Sequence, residues 1–187
     1  MRWLGRLGQR IDRALGLPDD AREAGQATVE FVIVFPIFMA VFLQAFEASL
    51  LLTRQLMLER AIDVVIRDVR LSTGTTYRQD QLRTEVCERA RILPQCDSNM
   101  VIEIVKVDTG TYDLPSAAAP CIDRTVITQA FSIDSLITSG GVNELMLVRA
   151  CYVVDPVFPG VGIGLEMARS AAGEIQLVAA SAFVQEP

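Results

Sequence analysis

Glu30 is the residue whose position most needs a chemical explanation. It directly precedes a run, Phe31–Leu43, in which no side chain is polar. A carboxylate at the centre of a membrane helix costs about 2.5–3.5 kcal/mol on insertion scales, and less near the interface. Two interpretations are open. Glu30 marks the water-exposed edge of a membrane segment, or it neutralises a cation that enters the membrane with it.

A cation that fits the second interpretation would arise from a cut after Gly25. The residues between Gly25 and Glu30 are small or polar, and the cut would leave a new amine on Gln26, four residues before Glu30. In a helical assembly that amine could pair with the Glu30 of a neighbouring subunit. Both charges would then enter the bilayer neutralised.

Other chemistries find little support in the sequence. The chain has no histidine, so it lacks the commonest general base and the commonest metal ligand. No nucleophile–base set can be built from its serines, its carboxylates and its single lysine, Lys106. The net charge of −6 argues against nucleic-acid binding. We therefore expect no enzyme, no nucleic-acid partner and no cofactor or metal.

The four cysteines indicate an oxidising compartment, because paired cysteines belong there. Four cysteines allow three pairings. We favour Cys87–Cys96, which flank the end of a predicted helix, together with Cys121–Cys151, which lie before and within predicted strands. A metal site is the alternative, but the chain has neither a CxxC spacing nor a histidine.

The apolar segment 31–52 is long enough to cross a bilayer, since about 22 residues at 1.5 Å each span roughly 33 Å. It begins too far into the chain, and is too long, for an ordinary cleaved secretory signal. Five arginines before it favour a cytoplasmic N-terminus, a preference that Arg54 and Arg60 weaken. We expect Glu47 to reach the outer interface and not a partner inside the bilayer.

Beyond the span, apolar residues continue on one helical face and stop before Ser72-Thr73-Gly74. We therefore predict one helix over residues 27–71. The rest of the chain predicts a helix over 79–92, strands over 100–107, 125–133, 144–154 and 174–184, and a short helix near 165–170. The predicted fold class is α+β, with a long N-terminal helix followed by a short helix and a small antiparallel β-sheet. The apolar face of the long helix, beyond the membrane span, comprises Leu58, Ile62, Val65, Ile66 and Val69.

The stretch "GQATVEFVIVFPIFMAVF" resembles the signal segment of TadE/TadF-like pseudopilins, the minor pilins of Tad (Flp) type IV pilus systems. The cut-site glycine of that family corresponds to Gly25, its fifth mature residue to Glu30, the following aromatic to Phe31 and its helix proline to Pro36. The resemblance covers roughly residues 24–55. It implies cleavage between Gly25 and Gln26 by a prepilin peptidase, and assembly roles for Glu30, Phe31 and Pro36.

The resemblance also implies a function, a location and partners. The chain would act in pilus initiation, priming or tip formation, and so in tight adherence. Its partners would be the prepilin peptidase, other minor pilins, the major Flp pilin and the inner-membrane assembly platform. It would cross the inner membrane once, with its N-terminus cytoplasmic and its C-terminal domain periplasmic, and would be incorporated into the pilus.

The domain organisation expected on this basis has four parts. Residues 1–25 are a cleaved cytoplasmic leader, 26–53 the transmembrane helix, 54–74 its amphipathic periplasmic extension, and 75–187 a periplasmic globular α+β domain. Two alternatives stay open. One is a periplasmic binding module with an uncut membrane anchor, and the other is a membrane-anchored enzyme.

Overall fold

The computed structural model describes residues 19–72, 76–112, 114, 115, 121, 122, 124, 136–138, 140–158 and 173–186. For residues 19–27, 76 and 136–138 it describes the backbone alone. The chain divides into two compact units, residues 1–46 and 47–187, which are described separately below.

Helix α1 spans Asp19–Leu71 and is the longest described element. It ends at the predicted residue, but it starts at Asp19 and not near residue 27. Residues 19–26 are mostly Asp, Ala, Arg, Glu and Gln, and the alanines, arginine and glutamate among them are good helix formers. At the other end, the Ser72 N–H donates to the Val69 carbonyl (3.1 Å) and the Ser72 hydroxyl donates to the Asp68 carbonyl (2.8 Å). These bonds satisfy carbonyls that the last turn of a helix leaves without intrahelical partners.

In the first unit, the side chains of residues 28–46 are almost all exposed, although most of them are apolar. Val32, Ile37 and Val41 are 62%, 63% and 66% exposed. Water would not favour such a surface. Such a surface is typical of a segment that contacts lipid or other proteins.

In the second unit, the same helix buries one face in a hydrophobic core. The buried positions recur every three or four residues, which is the period of an α-helix. All five residues of the predicted apolar face are among them, so that prediction is confirmed. The buried residues are Leu51, Leu58, Ala61, Ile62, Val65, Ile66 and Val69.

A three-stranded antiparallel sheet supplies the rest of this core. Its strands are β2 (Met100–Val107), β4 (Leu145–Val154) and β5 (Ile175–Val184), with β4 in the centre. The register pairs Met100 with Tyr152 and Val154 with Ile175. β-branched and aromatic residues favour these extended segments, and all three strands lie within one residue of their predicted bounds.

Helix α1 and strand β5 run side by side in the same direction. Gln55 Nε2 donates to the Val178 carbonyl (3.0 Å) near one end, and Gln185 Nε2 donates to the Arg70 carbonyl (2.8 Å) near the other. The helix between these contacts rises roughly 23 Å, and so does the strand. The two elements are therefore matched in length over this stretch.

The remaining elements are short. Strand β1 (Thr76–Arg78) pairs antiparallel with β3 (Leu136–Thr138), α2 spans Gln79–Arg89 and α3 spans Cys96–Asn99. Helix α2 ends three residues before its predicted end, because Ala90 leaves the helical region (φ −94°, ψ 49°). The strand predicted over 125–133 and the helix predicted near 165–170 lie outside the described residues. The architecture is the α+β plan predicted from the sequence.

Candidate functional site

The residues expected to direct processing and assembly all lie on α1. The Gly25–Gln26 bond is inside the helix, and Glu30 is exposed about one turn, or roughly 6 Å, further along the axis. Side chains on a helix lean towards its N-terminus, so a residue at i+4 lies over residue i. The helix therefore brings Glu30 to the same face as the backbone of Gln26.

Phenylalanines form a ridge along this part of α1. Phe31 stacks on Phe35 with ring centroids 4.9 Å apart, and Phe38 stacks on Phe42 at 6.5 Å. Spacings of three and four residues keep these rings, and Phe46, on one helical face. All five are exposed, by 43–61%. Of the five, only Phe31 was predicted as a site residue, although the spacing of the others is visible in the sequence.

Pro36 lies inside α1 without ending it. Proline has no N–H, so the Val32 carbonyl loses the hydrogen bond that residue 36 would otherwise donate. Prolines are tolerated in membrane helices because neighbouring groups satisfy the freed carbonyl. Pro36 thus leaves one backbone carbonyl of the helix, that of Val32, available to accept a hydrogen bond from another group.

Helix α1 is long and apolar enough to cross a membrane, and its apolar window is not buried. The core helix of a soluble protein can be as long and as apolar as this, but its apolar residues would be buried. Together with the exposed phenylalanines, the geometry fits a membrane anchor.

Glu47, the first residue of the second unit, is completely buried. Its carboxylate Oε1 accepts hydrogen bonds from the backbone N–H groups of Val157 (2.9 Å) and Phe158 (3.2 Å). Its Oε2 has no hydrogen-bond partner among the residues that the structure describes. This contact could not be predicted from local sequence patterns, because 110 positions separate Glu47 from Val157.

The structure joins Cys87 to Cys96 and Cys121 to Cys151, with S–S distances of 2.03 Å and 1.94 Å. These are the two pairs favoured from the sequence. The first connects α2 to α3, and the second attaches residue 121 to the buried centre of β4. No cysteine in the chain is left as a free thiol.

Charged side chains of the second unit pair with each other on the sheet and its loops. Arg149, which is mostly buried, donates from Nε to Glu103 Oε2 (3.0 Å) on the adjacent strand. Lys106 donates a hydrogen bond to Glu144, and the Gly141 N–H donates to the same carboxylate (2.7 Å). The Lys106 ammonium, helped by the Gly141 N–H, holds the pKa of Glu144 below its usual value.

Arg124 makes a similar cluster near the Cys121–Cys151 disulfide. Its guanidinium donates to Asp155 (2.9 Å and 3.0 Å) and lies 3.2 Å from Glu174, a buried carboxylate. Within the described part of the chain, no group of His, Cys, Asp and Glu is arranged to hold a metal ion. The charged residues Arg149, Glu103, Lys106, Glu144, Arg124, Asp155 and Glu174 make ion pairs with one another within the folded unit.

Comparison with known protein families gives a match. The family described as TadE-like protein matches residues 25–67, which include Gly25, Gln26, Glu30, Phe31 and Pro36. The resemblance found in the sequence is thereby confirmed over the apolar half of α1 and most of its buried half. Neither the curated proteins nor the solved structures that were compared gave a match.

Proposed function

We propose that this chain is a minor pilin that acts in pilus initiation, priming or tip formation. The proposal rests on the match of residues 25–67 to the TadE-like family, whose members are structural components of Tad pilus systems and not enzymes. One observation carries the proposal. An exposed apolar helix, whose residues 25–67 match the TadE-like family, continues into a disulfide-bonded α+β unit. Tight adherence would follow from the pili that it helps to build.

The proposed topology is a single pass through the inner membrane. The arginines of residues 1–25 support a cytoplasmic N-terminus, and the two disulfides support an oxidising periplasm for the second unit. We propose that a prepilin peptidase removes residues 1–25 by cutting between Gly25 and Gln26. The minor pilin would then meet other minor pilins, the major Flp pilin and the inner-membrane assembly platform.

Burial along α1 supports a shorter membrane span than the one expected from the sequence. Glu47 and Leu51 are buried within the folded unit, which carries charged groups that the hydrocarbon core would not accept. We therefore propose that the span ends at Phe46 and not near residue 53. Residues 28–46, about 19 residues, rise roughly 28 Å, which matches a hydrocarbon core of about 30 Å.

Glu30 would act after the cut. In the mature chain it lies in the first turns of the helix, where the helix dipole favours a carboxylate. The amine of Gln26, on a neighbouring subunit, would pair with it as both enter the assembly. Phe31 and Pro36 would contribute an aromatic surface and a locally weakened helix for packing against other pilin helices.

The cut is tested by the intact mass of protein extracted from membranes of a strain with an active Tad peptidase. We expect the mass of residues 26–187. Gly25→Leu should retain the leader, because glycine admits a close backbone approach that a larger residue blocks. Gly16→Leu, a matched change elsewhere in the leader, should be cut normally. A full-length mass for the unaltered chain would instead support a binding module with an uncut anchor.

A further inference from the structure

Glu47, at the start of the part of α1 that belongs to the folded unit, holds a short segment of the same unit. Asp155 and Pro156 follow strand β4, and Val157 and Phe158 come next along the chain. The backbone N–H groups of Val157 and Phe158 both donate to Glu47 Oε1, at 2.9 Å and 3.2 Å. A completely buried carboxylate with two such bonds holds these two residues to within a few ångströms of position 47.

Position 47 is also where the proposed membrane span ends. Phe46 is the last residue of the exposed apolar segment, and Glu47 follows it directly. If the span is correct, Glu47 lies at the boundary between hydrocarbon and headgroups. The hydrogen bonds then place Val157 and Phe158 at nearly the same depth.

From these two relationships we propose that Val157 and Phe158, held by Glu47, form a second membrane contact that touches the headgroup region of the bilayer beside α1. The inference rests on the proposed membrane span. It adds to that proposal a lipid contact made by the folded unit, separate from the helix that anchors the chain.

The chemistry of the segment fits a bilayer surface. Residues 156–158 carry no charge, and Val157 is 44% exposed although it is apolar. Apolar and aromatic side chains such as Phe bury favourably at the boundary between headgroups and acyl chains, as the apolar faces of interfacial helices do. The nearest acid in the sequence, Asp155, is paired with Arg124 by two hydrogen bonds, which reduces its repulsion from lipid phosphates.

A protein partner fits this patch less well. A stable protein interface buries about 800 Å² on each partner, whereas the two residues of this patch that the structure describes offer only a small part of that area. A bilayer needs no such area here, because the adjoining helix already holds the chain at the surface. We therefore assign the patch to lipid.

Lipid quenching of a single tryptophan tests the contact. Trp3 is the only tryptophan in the chain. The full chain carrying Trp3→Phe and Val157→Trp is placed in vesicles of phosphatidylethanolamine and phosphatidylglycerol that contain brominated lipids. We expect Trp at position 157 to lose most of its emission when the bromines lie near the headgroups. Val178→Trp, at a site of similar exposure (42%) on strand β5, should lose little.

Phe38→Trp separates failure of this contact from failure of the span. Strong quenching at position 38 by deep bromines, with position 157 quenched no more than 178, would overturn the lipid contact and leave the span intact. Quenching at neither 38 nor 157 would overturn both. A blue-shifted emission at 157 that bromines do not change would indicate a protein contact, which also overturns the proposal.

Glu47 variants test what holds the segment. In the Val157→Trp chain, Glu47→Gln keeps an oxygen that can accept both N–H bonds, so quenching at 157 should persist. Glu47→Ala removes the acceptor, and quenching at 157 should fall towards that at 178. Unchanged quenching in Glu47→Ala, with an unchanged circular dichroism spectrum, would refute the holding role. The Val157→Trp result stands alone if Glu47→Ala fails to fold.

Discussion

The Glu47 carboxylate accepts a hydrogen bond from the backbone N–H of Val157 at 2.9 Å, across 110 positions of sequence. The same oxygen accepts a second bond from Phe158 at 3.2 Å. A charged residue that directly follows an apolar helix segment is thus used inside the folded unit and does not face water. Its loss should be felt by the whole unit.

We expect Glu47→Ala to lower the free energy of unfolding by about 1–3 kcal/mol, because two partly buried N–H groups lose their acceptor. Urea unfolding of the full chain in detergent micelles, followed by circular dichroism, measures this change. Glu88→Ala, at an exposed glutamate of α2, is the control and should change the midpoint little. An equal effect of the two substitutions would contradict the structural role given to Glu47.

The two disulfides should stabilise the unit unequally. Cys87–Cys96 closes a loop with a sequence separation of 9, and Cys121–Cys151 one with a separation of 30. The chain-entropy model then gives about 2.5 kcal/mol for the first and about 3.5 kcal/mol for the second. Paired Cys→Ser variants should follow that order in urea unfolding. Non-reducing peptide mapping should recover both bridges, and four free thiols in periplasmic protein would refute the pairing.

Acid should weaken the contact between Lys106 and Glu144. Hydrogen bonds from Lys106 and from Gly141 lower the pKa of Glu144 in the folded chain. A carboxyl with a depressed folded pKa stabilises the fold above its unfolded pKa, and this contribution is lost as the pH falls through the folded pKa. We expect the urea midpoint to decrease as the pH falls below about 4.5, with a shallower decrease in Glu144→Gln than in the unaltered chain. Parallel curves for the two proteins would exclude this contribution.

Periodic patterns in the sequence predicted the large elements. The buried face of α1 has the helical period, and β2 is a run of eight mostly β-branched residues, so local sequence determines both. Strands β1 and β3 are three residues each and exist through pairing with one another, which no local pattern shows. The early end of α2 depends on the backbone of one residue, Ala90.

The candidate site likewise contains residues that were predicted from the sequence and a contact that was not. Gly25, Glu30, Phe31 and Pro36 were singled out from the resemblance to a family motif, which a single sequence can show because all four lie within twelve positions. The contact of Glu47 with Val157 depends on how distant segments pack, and sequence spacing carries no information about it. For the same reason the span was first expected to continue to residue 53. Burial of Glu47 and Leu51, which supports an earlier end, appears only in the folded unit.

Glu30 should be needed for assembly and not for processing. We expect Glu30→Gln to be cut normally and to reach normal membrane abundance, since loss of the charge eases insertion by up to a few kcal/mol. Assembly should fail, because the amine of a neighbouring subunit would enter the bilayer unpaired, at about 3–5 kcal/mol for a broken buried pair. Sheared pili and co-purified pilins report assembly, while intact mass reports processing.

Glu59→Gln, at an exposed glutamate of the same helix, is the matched control and should assemble normally. Normal piliation in Glu30→Gln would show that the charge is not needed. Glu30 would then be only the edge of the membrane span, the first interpretation drawn from the sequence. Loss of cleavage in Glu30→Gln would instead assign the carboxylate to recognition by the peptidase.

Surface pili in a strain that lacks this chain are the most direct measurement of its proposed role. If the chain is a minor pilin needed for initiation, priming or tip formation, shearing should release no pili from the deletion strain. Supplying the unaltered chain should restore them, and supplying Gly25→Leu should not. Pili in normal number and length from the deletion strain would contradict the central claim.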